Sequence, residues 1–570
     1  MLKENFQYLN KILTKKEYVY LYIYFIFSIL IGILETIGVG ILPAFFSVLI
    51  DKNILINKFD FNENIQNIII NLFNKDNLIM FLCVGIVIFF ILKSIILFFF
   101  GFFDAKLTRD FKVSISSQLF KIYINKNYLF HSINNPIILG RNISSEVNTT
   151  VGHMKSFLII IKESIQLILI FSLLLFANLK VTTTIFALFL LLGIIYIKFF
   201  GKKMRQKSEI AFYERGHKSK IIHQILNAII EVKIYNRENF IIKKFIDSIK
   251  KEFQSKMFLD VVNKIPKIFI EIFIVSLVCF TIVVCVRLGF NIEAIISIIA
   301  LYFFAALRSY PAFNSFLQQK MALINGRISI EKLANEFEKS KLNSDNQKFK
   351  NSISNFNRSI EFQNVNFNYP NREKTLNNIN LKISKNTLIG IKGETGSGKS
   401  TIIKLIMGLL QPDSGKILID GKESNITENN LKDKISYVPQ NFYILDDTIL
   451  ENIIFSEEKN KPDYKKISKA TKLSQLDEVI NSLPNGINTV VGSTGKLLSG
   501  GQAQRLALAR ALYQEREILI LDEATNALDR NTEKLVIENI LNLKTSKTII
   551  IISHNSDILK FCDQTIEIKR

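Results

Sequence analysis

Tryptophan is absent from this chain of 570 residues, and cysteine, histidine and proline are sparse. The four cysteines, Cys83, Cys279, Cys285 and Cys562, are too few and too scattered for a disulfide framework or a zinc site. Three of them lie in apolar runs. The sequence therefore predicts neither a redox centre nor a structural metal site built on cysteine.

Acidic residues are also in short supply, with 50 Asp and Glu against 72 Lys and Arg, which gives a formal net charge of +22. Such a charge fits either a nucleic-acid-binding protein or a membrane protein with basic cytoplasmic segments. The hydrophobic fraction of 48% and the mean hydropathy of +0.23 are too high for a soluble chain of this size. The sequence therefore predicts a membrane protein with no nucleic-acid partner.

Six apolar segments lie in the first 316 residues, each near the length of about 20 residues that a helix needs to cross a bilayer. They cover residues 18–50, 78–103, 154–177, 181–200, 257–286 and 292–316. The rest of the chain has none. We therefore expect a membrane domain of six helices over residues 1–317, a polar linker over 318–358 and a second domain over 359–570.

Basic residues are concentrated in two long connections between these spans. Residues 201–256 hold fourteen Lys and Arg against six acidic residues, and residues 105–153 hold six against two. Because basic connections stay on the cytoplasmic side, both connections, both chain termini and the second domain are expected there.

Ionisable side chains inside a span cost about 2.5 to 3.5 kcal/mol each, so they should face a cavity or a charged partner. The candidates are Glu35, Lys93, Lys162, Glu163, Lys264, Lys267, Glu271 and Arg308. The spacing of Lys264, Lys267 and Glu271 puts them on one helix face. That face either binds an anionic head group, or Lys267 pairs with Glu271 while Lys264 reaches to the interface.

A phosphate-binding motif occurs in the second domain. An apolar strand at 388–391 is followed by G-x-x-x-x-G-K-S and then by a helical run. In this context backbone amides and the helix N-terminus bind phosphate, Lys399 reaches the β- and γ-phosphates, and Ser400 can ligate Mg²⁺. The predicted P-loop comprises Gly393, Glu394, Thr395, Gly396, Ser397, Gly398, Lys399, Ser400 and Thr401.

Three further strand ends carry side chains suited to nucleotide hydrolysis. One ends in Asp522, which suits a magnesium shell, and in Glu523, which could accept the proton of the attacking water. Gln440 closes another strand and could orient that water or contact the metal. His554 follows a third and could contact the γ-phosphate. Judged by spacing alone, Gln440 and His554 are more often structural than catalytic.

The run Leu498-Ser499-Gly500-Gly501-Gln502 stands between the P-loop and the Asp522-Glu523 pair. It resembles the signature motif of ATP-binding cassette (ABC) proteins, and the motifs follow in that family's order. The whole chain of 570 residues resembles an ABC exporter half-transporter, with a six-helix membrane domain followed by an α/β P-loop NTPase domain.

This resemblance implies roles for individual residues. Tyr369 would stack on adenine, Gln440 would sense the membrane domain, and His554 would be the switch histidine. Asp529, in Ala527-Leu528-Asp529, would form the loop that contacts a second subunit. The signature residues implied to contact the nucleotide are Ser499, Gly500, Gly501 and Gln502.

In this family each ATP lies between the P-loop of one subunit and the signature motif of the other, so the resemblance implies a dimer. Identical chains are expected, with a heterodimer as the alternative. ATP and Mg²⁺ are the implied cofactors, and ATP hydrolysis would drive transport across the bacterial cytoplasmic membrane. Coupling segments are expected near residues 131–141 and 225–233. Asn526 departs from the family pattern, which more often has Ser or Ala there.

A more local resemblance concerns the cargo. Short motifs around Glu35, Lys267 and Arg308 look like the membrane domain of bacterial flippases for lipid-linked oligosaccharides. The anionic head of such a substrate suits Lys264, Lys267 and Arg308, and its long apolar tail suits an amphipathic pattern at 59–73. The alternatives are a lipid A, multidrug or peptide exporter and, in another class, an ATP-gated channel or regulator.

Overall fold

The structure is a computed structural model that describes residues 2–50, 75–177, 179–287, 292–344, 356–370, 372–423, 430–455, 462–492 and 497–568. The chain divides into two compact units. The first comprises Met1–Lys126 and Asn134–Asn346, and the second comprises Asn127–Ile133 and Gln347–Arg570. The amphipathic pattern predicted at 59–73 lies outside the described residues.

Long helices build the first unit. In chain order the helices are α1 (Leu2–Ile12), α2 (Lys15–Ile50), α3 (Lys75–Ile124), α4 (Tyr128–Ile133), α5 (Pro136–Arg141), α6 (Val147–Ala177), α7 (Leu179–Asn227), α8 (Ile229–Ile234), α9 (Glu238–Arg287) and α10 (Ile292–Ser344). A π-helical turn, Asn142–Glu146, joins α5 to α6, and α4 belongs to the second unit.

Four helical stretches of the described residues are long and apolar enough to cross a membrane. They are Lys15–Phe45, Met80–Ile124, Pro136–Ala177 and Thr182–Asn227. Each of these stretches overlaps one of the first four predicted spans, so a helical membrane domain is confirmed. The fifth and sixth predicted spans fall in α9 and α10, where many side chains lie outside the described residues, and the count of six stays a prediction.

The predicted basic connections at 105–153 and 201–256 are largely helical. At 1.5 Å per residue, the 50 residues of α3 span about 75 Å, far more than the hydrocarbon core. Charged residues end a hydrophobic run without ending a helix. The polar segments therefore continue the membrane helices, and only short turns and the helices α4, α5 and α8 interrupt them.

Helix α6 packs against both α2 and α10. Gly32 permits the close approach of α2, because a Cβ atom there would lie 2.8 Å from Leu169 Cδ1. Helix α3 instead exposes its apolar side chains, among them Phe98 at 73% and Phe102 at 67%. An exposed apolar surface of this kind is expected of a helix that faces lipid.

The structure differs from the predicted linker at 318–358. Helix α10 runs without a break to Ser344. Met321, Leu323 and Ile330 are buried within the first unit. The charged residues between these apolar positions make the segment polar on average, although one face of the helix is packed.

The second unit contains an antiparallel and a parallel sheet. The antiparallel sheet has the order β2-β1-β4-β5, formed by β1 (Ser359–Tyr369), β2 (Arg372–Ser384), β4 (Ser414–Ile419) and β5 (Lys422–Glu423). The parallel sheet has the order β6-β7-β8-β3-β9, formed by β3 (Leu388–Gly393), β6 (Ile435–Val438), β7 (Ile518–Asp522), β8 (Thr548–Ile552) and β9 (Gln564–Ile568).

The central strands β7 and β8 are buried along their whole length. Leu519 and Leu521 enter one apolar cluster, while Ile518 and Ile520 enter the cluster on the opposite face. Uninterrupted apolar runs are typical of parallel strands covered on both faces. The helices of this unit that follow β3 are α11 (Lys399–Ile406), α12 (Ile449–Ile454), α13 (Tyr464–Leu473), α14 (Asp477–Ser482), α15 (Gly500–Tyr513), α16 (Arg530–Leu541) and α17 (Ser556–Leu559).

Candidate functional site

The P-loop lies between β3 and α11. Gly396 and Gly398 have φ angles of +84° and +97°, a region that favours glycine. A Cβ atom at Gly398 would also lie 3.0 Å from the carbonyl oxygen of Thr375. Lys399 is 8% exposed and donates from Nζ to the carbonyl oxygens of Gly393 at 2.7 Å and Glu394 at 3.0 Å. The lysine therefore lies inside the curve of the loop, where a phosphate could replace these carbonyls as its partner.

Two oxygen donors suited to Mg²⁺ meet at the end of β7. Asp522 is 3% exposed, its Oδ2 accepts a hydrogen bond from the Tyr437 hydroxyl at 3.2 Å, and its carboxylate also accepts one from Ser400. Burial raises the pKa of Asp522, and the charge of Glu523 raises it further. Hard oxygen ligands are those that Mg²⁺ prefers, so Ser400 and Asp522 fit the ion.

The backbone of Glu523 adopts an unusual conformation. Its φ of +52° lies in the left-handed region, which a side chain of this size rarely adopts. Its N–H donates to the carbonyl oxygen of Ile552 at 3.0 Å, and its own carbonyl accepts from Gln504 Nε2 at 3.2 Å. Strain of this kind persists only where surrounding contacts impose it.

Side chains from three parts of the sequence meet at the Glu523 carboxylate. Its Oε2 accepts hydrogen bonds from Gln440 Nε2 at 2.7 Å and from Asn526 Nδ2 at 2.9 Å. His554 Nε2 lies 3.3 Å from Oε1. The structure thus places the predicted Gln440, Glu523 and His554 in contact. Sequence reasoning missed the contact with Asn526, whose position three residues after Glu523 suits a turn.

The signature motif forms the start of α15. The Ser499 side chain accepts from the Gln502 backbone, and the Gln502 side chain accepts from the Ser499 backbone, which is a capping box. A Cβ atom at Gly501 would lie 2.8 Å from the carbonyl oxygen of Ala527. Gly501 therefore lets the start of this helix lie close against the loop that leads to Asp529.

Asp529 caps α16, where its side chain accepts from the backbone N–H groups of Asn531 at 3.2 Å and Thr532 at 3.0 Å. The hydrogen bond from Thr532 is the main reason that the pKa of Asp529 is lowered. The cap fixes the end of the loop that the sequence predicts to contact a second subunit.

Tyr369 is half-buried at the end of β1, with its ring 5.0 Å from that of Phe367. Lys404 of α11 forms hydrogen bonds with Tyr369 and with Tyr128 of α4, and its Nζ lies 5.2 Å from the centre of the Tyr128 ring. Tyr128 and Leu129 pack against the core of the second unit. A short helix that follows α3 in sequence is therefore joined to the predicted adenine-binding tyrosine.

The predicted substrate residues lie in different settings within the first unit. Lys264 and Lys267 are exposed on α9. Arg308 forms an ion pair with Glu35, and Lys93 Nζ donates to the same carboxylate at 2.6 Å. Two of the ionisable residues predicted to have a charged partner in the membrane, Glu35 and Lys93, are thus paired with each other.

The fold and the site together define an ABC protein, with a P-loop, a signature helix and a helical membrane domain on one chain. A family model described as ABC transporter matches residues 376–526. An export ATP-binding/permease protein of Rickettsia typhi is 30% identical over 512 residues, which cover 88% of this chain and 86% of that protein. The chain therefore belongs to the ABC exporters, as a half-transporter.

Other similar proteins support the same family assignment. An ATP-dependent lipid A-core flippase of Desulfotalea psychrophila is 28% identical over 473 residues, which cover 81% of this chain and 80% of that protein. The structure of a bacterial Atm1-family ABC exporter with ATP bound matches with a TM-score of 0.76 at 19% identity, over 95% of this chain and 92% of that one. The chain is thus a multi-pass membrane protein that binds ATP and couples its hydrolysis to transport.

The position of Lys399 predicts a specific defect when its charge is removed. We expect Lys399→Ala to weaken ATP binding at least tenfold (about 1.4 kcal/mol), because the loop loses the cation that faces the phosphates. Binding of a fluorescent ATP analogue to the purified full-length protein measures this. Lys392→Ala is the control, since Lys392 is exposed and pairs with Glu567 on β9. Equal affinities of Lys399→Ala and the control would contradict the prediction.

Proposed function

We propose that this exporter is a flippase for an anionic amphiphile and that its substrate is a lipid-linked oligosaccharide or polysaccharide precursor. The observation that carries the proposal is the cluster of Glu35, Lys93 and Arg308 in the membrane domain. Two cations share one carboxylate there, so the cluster keeps an excess positive charge. The Arg308 side chain is 42% exposed, whereas that of Glu35 is 2% exposed.

An uncompensated charge among membrane helices is costly unless an opposite charge approaches it. A pyrophosphate-linked glycan supplies such a charge on a polar head, and its polyprenyl tail can stay in the lipid. Guanidinium groups also bind phosphate oxygens well, often in bidentate fashion. The exposed Lys264 and Lys267 would extend the basic surface along α9.

We further propose that two identical chains form the transporter in the bacterial cytoplasmic membrane. The membrane domain would extend through α10 to Ser344, and both chain termini and the nucleotide domain, residues 359–570, would lie in the cytoplasm. Each ATP would lie between the P-loop of one chain and residues 499–502 of the other. Tyr369 would stack on adenine, and Asp529 would lie in the loop at the dimer contact.

The charged and polar side chains of the proposed site suit ATP hydrolysis. Ser400 and Asp522, with Gln440 as a further oxygen donor, would hold Mg²⁺, which neutralises charge on the β- and γ-phosphates when bound. Lys399 would pair with the same phosphates. Glu523 would accept the proton of the attacking water, and His554, beside Oε1, would contact the γ-phosphate.

Helix α4 would carry movement between the nucleotide and the membrane helices. Only residues 125–127 separate it from the end of α3, and Tyr128 contacts Lys404, which contacts Tyr369. The second predicted coupling segment corresponds to α8, where Ile230 and Ile234 are each 68% exposed. An exposed apolar helix suits contact with another protein surface.

A lipid A-core flippase is the second candidate function. A protein of that name is among the relatives. Lipid A also has an anionic phosphorylated head and apolar chains, so the same cluster could bind it. The two functions differ in the head group and tail that stimulate ATP hydrolysis.

The proposed base predicts a protein that binds ATP but hydrolyses it slowly. We expect Glu523→Gln to lower kcat about 100-fold or more with little change in ATP affinity, because positioning and charge stabilisation remain while the proton acceptor is lost. Turnover and nucleotide retention by the protein in liposomes measure this. Glu538→Gln, at an exposed position on α16, is the control. A Glu523→Gln variant with normal turnover would exclude this role.

The proposed substrate predicts selective stimulation of ATP hydrolysis. We expect a polyprenyl-pyrophosphate glycan to raise activity in proteoliposomes, and Arg308→Ala or Lys264→Ala to reduce that response several-fold while basal activity persists. Lys244→Ala, an exposed cytoplasmic variant, is the control. Stimulation by lipid A or by drugs, without a response to glycan-lipids, would contradict the proposal.

The contact of Tyr128 predicts a variant with impaired coupling. We expect Tyr128→Ala to retain basal ATP hydrolysis but to lose most of its stimulation by substrate, because the link from α4 to Lys404 is removed. Tyr128→Phe keeps the ring and its cation–π contact, so it should retain more of the response. Unchanged stimulation in Tyr128→Ala would show that α4 is not the route.

A further inference from the structure

Asn526 contacts Glu523 but has no role in the proposed hydrolysis of ATP. Its Nδ2 donates to Glu523 Oε2 at 2.9 Å, and Gln440 Nε2 donates to the same oxygen at 2.7 Å. The other oxygen, Oε1, faces His554. Hydrogen bonds to a carboxylate are stronger than those between neutral groups. Two amide donors on one oxygen therefore restrict rotation of the carboxylate. Its two oxygens also have different neighbours.

The backbone around Asn526 is fixed independently of its side chain. Gln504 of α15 is 4% exposed, donates to the Glu523 carbonyl at 3.2 Å and accepts from the Ala527 N–H at 3.0 Å. One buried amide thus joins the two ends of the turn that contains Asn526. The Asn526 side chain itself is exposed. Its removal should leave the turn intact and take away only the hydrogen bond to Glu523.

We propose that Asn526 is a positioning residue for ATP hydrolysis, which fixes Glu523 Oε2 so that Oε1 is presented to the attacking water. The inference rests on the proposed role of Glu523 as the base. Gln440 alone would hold the same oxygen from a different strand end, with one hydrogen bond in place of two. A base displaced from its productive position loses rate without any loss of nucleotide affinity.

The test compares kcat and KM for ATP in proteoliposomes of the full-length protein. Asn526→Ala should lower kcat about fivefold to tenfold with KM unchanged. Asn526→Asp has nearly the same shape but replaces the donor with a negative charge beside Glu523, so its kcat should be lower still. Asn542→Ala, at the exposed C-cap of α16, is the control. An unchanged or increased kcat in Asn526→Ala, or a loss of ATP affinity that accounts for its defect, would overturn the inference.

A double-mutant comparison separates this inference from the role of Glu523 itself. If Asn526 acts through Glu523, adding Asn526→Ala to Glu523→Gln should not slow single-turnover hydrolysis further. A slow Glu523→Gln variant that is slowed by a further fivefold to tenfold would overturn the role of Asn526 and leave that of Glu523 standing. Normal hydrolysis by Glu523→Gln alone would overturn both.

Discussion

The nucleotide site depends on the parallel register of three buried strands. Ile391 of β3 pairs with Ile552 of β8, and Asp522 of β7 pairs with the same isoleucine. The P-loop, the acidic pair and the segment that contains His554 therefore begin at one level of the sheet. If one strand were paired with its neighbour one residue out of register, its side chains would point to the opposite face of the sheet and enter the wrong apolar cluster. Core packing thus sets the geometry of the polar site.

Much of the site could be predicted from the sequence because its chemistry is local. Glycines that permit positive φ, a lysine and a hydroxyl at a helix start, and acids at the end of an apolar strand form short patterns with few alternatives. The contact of Asn526 with Glu523 could not be read in this way. It depends on a turn joined by Gln504, which comes from a helix about twenty residues earlier in the chain.

The sequence was sufficient to predict that the membrane domain is helical, but not how long its helices are. Hydropathy locates the part of a helix that lies in lipid. The length of the whole helix depends on backbone hydrogen bonds and side-chain packing, and both continue beyond the membrane. Helix α10 therefore extends through residues that average as polar, since Met321 and Ile330 lie on a buried face. The contact of α4 with the rest of the second unit could not be predicted either, because Tyr128 and Lys404 are far apart in the sequence.

The buried charged side chains of the two units have opposite net signs. In the nucleotide domain Asp522 is buried with hydroxyl donors, and burial raises the pKa of Tyr437 so that its hydroxyl stays a proton donor to that carboxylate. The nucleotide site therefore contains neighbouring carboxylates, which suit the binding of a cation. In the membrane domain Glu35 is buried between Lys93 and Arg308, and the excess charge is positive. The chain thus concentrates carboxylates at its nucleotide site and a net positive charge among its membrane helices.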